Sequence, residues 1–267
     1  MPEFVKPPDF KNNHYKKIEK DYLGFFATTA NWPPDKDRIE ISDLRHVFFE
    51  LSNLCNYASI HPRCPVSWQK KKVILSSKVV KSVIDQLGKG NFQGYIAFHR
   101  YNEPTNDPRL FEFISYAKTH APTAKIRLLT NGSYLNQTMV DDLDAAGLDI
   151  LEVSSYFPKE HQRLIKLKAK FPYKVFYSIL DNRKSIYLTD KLNLVKPCFA
   201  HIKDVTINCE GKMPICCLDW KNKVVFGDLK KNSLESILHS HFFTQTFRAL
   251  TKGKRNLDIC SRCDWSR

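Results

Sequence analysis

Six of the eight cysteines in this 267-residue chain fall between Cys198 and Cys263. A polar stretch of about 70 residues rarely closes a hydrophobic core of its own without disulfides, a metal or a cluster. The last pair, Cys260-Ser-Arg-Cys263, is a C-x2-C knuckle, a spacing that lets two thiolates converge on one metal or cluster. Upstream, Cys198 and Cys216 bracket Gly211 in the arrangement C-x12-G-x4-C, so a hairpin is needed to bring that pair to the knuckle. Disulfides are not expected. The first residues, MPEFVKPPDFKNNHYKK, carry no apolar signal region, and no apolar run is long enough to span a bilayer. The expected compartment is therefore the reducing cytosol. Zinc in a four-thiolate site competes with an iron–sulfur cluster, because ligand type alone does not separate the two.

Upstream of these cysteines the chain reads as α/β. Residues 1–40 mix proline, aromatic and charged residues without periodicity and are expected to form an irregular arm or cap. Strands are expected over 45–51, 94–99, 125–130, 150–154, 174–180 and 201–208, and helices over 77–87, 108–120, 137–146 and 159–170. A serine caps the first helix, Asp107-Pro108 opens the second, and Gly147 closes the third. Strands alternating with single helices indicate a parallel sheet, and six of them make an open, partial (β/α)6 barrel. Chemistry in such a barrel gathers at the C-terminal ends of the strands. The pattern changes near Pro197. The expected division is a barrel over 41–197 and a small α+β domain over 198–267, with a hairpin over 205–216 and two short helical stretches.

Cys55 and Cys64 directly follow the first strand, at the end where a barrel of this kind would hold a cofactor. Here the chain resembles the radical S-adenosylmethionine (radical SAM) enzymes, whose first strand leads into a C-x3-C-x2-C loop. The segment Leu51-Ser52-Asn53-Leu54-Cys55-Asn56-Tyr57 begins as such loops begin, and Cys64-Pro65 ends as they end. Arg100-Tyr101-Asn102-Glu103-Pro104 after strand two is similar to the family's G-G-E-P motif, Thr130-Asn131-Gly132 follows strand three, and Ser154 ends strand four. The C-terminal part is similar to twitch, a shortened SPASM auxiliary-cluster module, and compact proteins of that kind include an aminocyclitol dehydrogenase. The resemblance implies S-adenosylmethionine and two [4Fe–4S] clusters as cofactors. It implies cofactor contacts at Tyr57, Asn102, Glu103, Thr130, Asn131 and Ser154, with Glu103 taking the methionyl ammonium. It also implies auxiliary-cluster ligands at Cys198, Cys216, Cys260 and Cys263, with the adjacent Cys217 leaving the second ligand open by one residue.

The first loop departs from the family. It has no middle cysteine, is two residues longer, and reads C-x5-H-x2-C with His61 in the interior. Neutral imidazole can ligate iron and would raise the cluster potential. Ser59 is a poorer ligand, and a degenerate loop without a cluster is the remaining alternative. Arg100 and Tyr101, with Tyr177 on strand five, are the candidate catalytic residues, and His99 belongs to the same polar trio at the end of strand two. The implied function is generation of a 5′-deoxyadenosyl radical for oxidation or rearrangement of a sugar-like or other small polar or acidic metabolite. The implied electron donor is a flavodoxin or ferredoxin. Peptide modification is a second reading. A non-catalytic scaffold binding the cofactor, a nucleotide or RNA is the alternative of another class. The net charge of +14 is compatible with an acidic partner but does not choose one, and nucleic acid is not favoured.

Overall fold

Parallel strands that are covered by helices on one side only need alternate apolar side chains, and the runs VFF, YIA, KIRLLT and ILEVSS meet that requirement. The computed structural model describes residues 38–61, 64–68, 71–178 and 195–263, which fall in one compact unit, Asp37–Ser266. The arm expected over 1–40 lies, up to residue 37, outside the described residues. Strands β1 (His46–Phe49), β2 (Tyr95–Ala97), β3 (Lys125–Thr130), β4 (Ile150–Ser155), β5 (Tyr173–Tyr177) and β6 (Asp204–Ile207) form one sheet in the order β5-β4-β3-β2-β1-β6. Every pairing is parallel, as a partial barrel requires. Helices α1 (Ser77–Lys89), α2 (Leu110–His120), α3 (Gln137–Ala146) and α4 (Pro158–Leu164) alternate with the first five strands. Gly147 ends α3 at φ +96°, a left-handed position where a side chain would be strained.

Val47, Phe49, Ile96, Phe98, Ile126, Leu128, Leu151 and Val153 alternate along the strands and are fully buried. Their face meets the helices: the Phe98 ring stacks between Phe49 at 5.7 Å and Phe113 of α2 at 6.0 Å. The opposite face, turned into the barrel, is unusually polar. His46 pairs with Asp204 at 3.0 Å, Arg127 Nε donates to Glu152 at 2.7 Å, and Glu50, His99, Thr206 and Asn208 are also buried. Barrels of this class ordinarily fill their interior with branched apolar layers.

Just before β6 the chain makes α5 (Ala200–Lys203), and after β6 come β7 (Lys212–Pro214), β8 (Val225–Asp228), α6 (Leu234–Leu238), α7 (His241–Thr251) and α8 (Asp258–Ser261). Three sequence expectations shift here and upstream. The strand expected over 201–208 begins only at Asp204, because β1 starts at His46 and Asp204 is the register partner of His46. The turn around Glu210-Gly211 forms, with Gly211 at φ +80°, but β7 pairs antiparallel with β8 while 204–207 joins the barrel. The helix expected over 159–170 stops at Leu164, whose carbonyl accepts from Leu167 N at 3.1 Å and Tyr173 Oη at 2.8 Å. The expected strand end at 179–180 lies outside the described residues.

Because Phe98 is fully buried between two rings, Phe98→Ala should destabilise the fold by about 3–5 kcal/mol, read from the shift in urea midpoint at unchanged slope.

Candidate active site

The loop from Cys55 to Cys64 is pinned at its base by one side chain. Asn53 Nδ2 donates to Lys71 O at 2.6 Å and its Oδ1 accepts from Val73 N at 2.9 Å, while Leu75 N bonds Leu51 O at 2.8 Å. The loop then turns through a short 3-10 segment, Ala58–Ile60, and returns with Cys64 N bonded to His61 O at 2.8 Å. Cys55, His61 and Cys64 line one cleft with Tyr57, His99, Arg100, Tyr101, Asn102, Glu103, Thr130, Asn131, Ser154 and Tyr156. His61 and Cys64 are buried, and the imidazole packs edge-on against Tyr156 with centroids 4.6 Å apart. Ser59 is exposed. Cys55 Sγ receives Tyr57 N at 3.4 Å and Asn131 Nδ2 at 3.9 Å.

Glu103 lies where β2 and β3 open. Its Oε1 accepts from Thr105 N at 3.1 Å, Thr105 Oγ1 at 2.6 Å and Thr130 Oγ1 at 2.5 Å, whereas among the described residues Oε2 accepts from Asn131 N alone, at 2.7 Å. Burial pushes its carboxyl up, and these hydrogen bonds oppose the shift. A carboxylate with one oxygen still able to accept suits a ligand ammonium. Asn102, expected to meet the cofactor, lines the cleft but ties its own turn, accepting from Arg100 N at 3.1 Å and donating to Phe98 O at 3.3 Å. Tyr57 Oη donates to Glu160 at 2.9 Å, and burial first, then Glu160, pushes its phenol well above the usual range.

Arg100 and Tyr101 do something the motif does not reveal: they brace the segment after β7 against the barrel. Arg100 Nη1 meets Glu50 Oε2 at 3.5 Å and donates to Asn222 Oδ1 at 3.1 Å, and Nη2 donates to Asp219 O at 3.3 Å. Its guanidinium lies over the Tyr101 ring at 4.3 Å, and Tyr101 Oη donates to the Cys217 carbonyl. Burial pushes the Glu50 carboxyl up, with Arg100 opposing. Glu50 Oε1, Arg100 Nε and Asn208 Nδ2 are buried without a hydrogen-bond partner among the described residues, leaving polar capacity at the ends of β1, β2 and β6. Glu50, Asp219 and Asn208 were not singled out from the sequence. The usable signal for Glu50 was a charge closing the run HVFF at a strand's C-terminal end. Tyr177 ends β5 against the His161 ring at 5.5 Å and is not among the residues lining the cleft.

The C-terminal thiols come within electrostatic reach of one another. The Cys216 thiol is pushed well above its ordinary value by desolvation, then by Cys217, with Cys260 and Cys198 adding to the shift. The Cys260 thiol is pushed up to about 12 by burial, then by Cys198 and Cys263. Such a set is unfavourable as bare thiolates and is stabilised as thiolates by a positively charged metal core, so the donors fit an iron–sulfur group. Arg255 ties the ends together, donating to Lys196 O at 3.1 Å and Cys263 O at 2.7 Å.

A parallel six-stranded barrel whose strand ends gather a two-cysteine loop, a buried carboxylate and a cysteine-rich appendage has the radical SAM architecture. Residues 198–264 match the SPASM family model, described as an iron-sulfur cluster-binding domain. A curated relative, the S-adenosyl-L-methionine-dependent 2-deoxy-scyllo-inosamine dehydrogenase of Niallia circulans, is 26% identical over 230 residues, which is 80% of this chain and 90% of the relative. Among solved structures, BtrN in complex with AdoMet and 2-DOIA superposes with a TM-score of 0.69 at 22% identity, covering 83% of this chain and 93% of that one. The structure of anSMEcpe with bound AdoMet gives 0.56 at 14% identity, covering 83% of each chain. The chain thus shares the partial-barrel fold of these radical SAM proteins, and its C-terminal segment matches a SPASM-type iron-sulfur cluster-binding domain. Among the described residues no helix is long and apolar enough to cross a membrane.

Cys216, whose thiol feels both Cys260 and Cys198, is the expected ligand of the adjacent pair. Cys216→Ser should lose about four irons per chain on anaerobic reconstitution and Cys217→Ser should lose none, as measured by iron analysis and the cluster absorption band.

Proposed function

We propose that the protein is a radical SAM oxidoreductase that oxidises a small polyhydroxylated or aminated alcohol. The observation that carries this reading is the cleft itself. It joins Cys55, His61 and Cys64 to Glu103, Thr130, Asn131 and Ser154 at the ends of four adjacent strands, above a barrel interior lined with hydrogen-bonding groups. The name of the curated relative, a dehydrogenase of an aminocyclitol, agrees with it. When bound, a reduced [4Fe–4S] cluster and S-adenosylmethionine supply a 5′-deoxyadenosyl radical able to abstract hydrogen from carbon.

In this reading Cys55, His61 and Cys64 hold the first cluster, with His61 in place of the family's middle cysteine. Burial of His61 in the cleft and exposure of Ser59 favour the imidazole. Glu103 Oε2 takes the methionyl ammonium, and Thr130, Asn131, Ser154 and Tyr57 shape the rest of the cofactor's seat. Cys198, Cys216, Cys260 and Cys263 hold an auxiliary cluster, with the functional division placed near residue 197. Arg100 and Tyr101 fix the Cys217–Asn222 loop over the barrel mouth and so position that cluster relative to the substrate. The polar lining of the cleft, with His99, Arg100, Asn102 and Thr130 in it, favours a polar metabolite over a peptide's apolar side chains. A flavodoxin or ferredoxin supplies the electron.

Anaerobic incubation of the reconstituted protein with S-adenosylmethionine and dithionite should release 5′-deoxyadenosine, and 2-deoxy-scyllo-inosamine should increase its rate. Zinc and no iron in the reconstituted protein would sink the enzyme reading. For the first cluster, His61→Ala should lower iron from about eight to about four per chain, whereas a variant retaining about eight removes His61 from the ligand set.

A further inference from the structure

We propose that His99 is a substrate-contacting hydrogen-bond donor whose Nε2–H is offered to a hydroxyl or carbonyl oxygen of the ligand in the barrel cleft. The inference rests on the cleft being the site of a sugar-like substrate and adds a residue that recognises it.

His99 follows β2 on the inward face, is 7% exposed, and lines the cleft. The Leu129 amide donates to His99 Nδ1 at 3.1 Å. That bond uses the Nδ1 lone pair, so the neutral ring carries its proton on Nε2. The ring stands edge-on to Phe48, with centroids 5.3 Å apart and planes at 75°, so a backbone amide and an aromatic face together set the plane of the imidazole. Burial, then the Arg127 guanidinium, then His46 hold its pKa down to about 3, so the ring is not a cation at neutral pH. Among the described residues the Leu129 bond is the one hydrogen bond the ring makes. With Nδ1 taken by the backbone, the Nε2–H is left for an acceptor in the cleft that His99 lines.

This chemistry selects the acceptor. A neutral N–H donor pairs with a hydroxyl or carbonyl oxygen and has nothing to offer an ammonium. It also excludes His99 as the base that deprotonates the substrate, since one ring nitrogen is occupied by the backbone and the other already holds a proton. Position argues for substrate over cofactor. Glu103 and Asn131 lie further along the chain as it leaves β2 and β3, so His99 and Leu129 sit deeper in the barrel than the carboxylate assigned to the methionyl group.

The test uses the reconstituted holoenzyme with S-adenosylmethionine and 2-deoxy-scyllo-inosamine. His99→Phe is expected to raise the KM for the aminocyclitol about tenfold or more, with iron content and S-adenosylmethionine Kd unchanged. His99→Gln, which keeps an N–H donor, is expected to return KM to within about threefold of the unsubstituted enzyme. In 15N spectra of the ring, the Nε2 resonance should be that of a protonated nitrogen and should move when the aminocyclitol is added. An unchanged KM in His99→Phe, or equal losses in both variants, overturns the inference. So does a loss confined to S-adenosylmethionine affinity. If the unsubstituted enzyme cleaves S-adenosylmethionine but neither binds nor oxidises the aminocyclitol, the substrate reading fails and this inference falls with it. Normal turnover with an indifferent His99 overturns this inference alone.

Discussion

Pairing of β1 with β6 is the constraint on which the rest of the molecule depends. It sets His46–Phe49 in register with Asp204–Ile207, and it is parallel, so both strands deliver their following residues to the same end of the sheet. One of those continuations is the Cys55–Cys64 loop, and the other leads to the cysteine-rich segment. The two meet at the barrel mouth through short links: Cys209 N donates to Glu50 Oε2 at 3.2 Å, and Glu50 N donates to Ile207 O at 2.8 Å. An antiparallel return would have sent the last cysteines to the opposite end, away from the strand ends where β/α barrels do their chemistry.

A buried cation makes that meeting specific. The Arg100 guanidinium is removed from water and must be met by charge and dipoles, which it finds in Glu50, Asn222 and the Asp219 carbonyl. Buried ion pairs contribute little net stability, but leaving one member uncompensated is expensive, so the loop after β7 has few alternative positions. Asp219 makes the same loop rigid from within, accepting from Lys223 N at 3.0 Å and Val224 N at 2.8 Å. A side chain at the end of strand two thereby orients the neighbourhood of Cys216, more than a hundred residues later in the chain.

The polar barrel interior is the other departure from a generic β/α scaffold. Outward positions such as Phe49, Phe98 and Leu128 supply the hydrophobic drive for folding, which frees inward positions for His46, Glu50, His99, Arg127 and Glu152. Each of these has a described partner, such as Asp204 for His46 and Leu129 N for His99, so burial of so many polar groups is tolerated. Of these groups His99 reaches the cleft, where it is one of the polar residues of the lining.

Much of this was legible in the chain. Alternation of short apolar runs with capped helices is a local signal, and it located the strands and the first three helices to within a few residues. Cysteine spacing is also local, and it marked both groups of thiols. Motif position brought Glu103, Thr130, Asn131 and Ser154 to one cleft. What the sequence by itself determined, then, was the parallel α/β class, the two cysteine-bearing ends, and the residue types available to a cofactor. Tertiary structure alone decided which of these residues face one another. It put His61 rather than Ser59 in the cleft, gave Arg100 and Tyr101 a bracing task, paired β7 with β8, and started β6 at Asp204. The physical reason is that hydrogen bonds, burial and charge compensation at these positions come from partners far away along the chain, where no local spacing can register them.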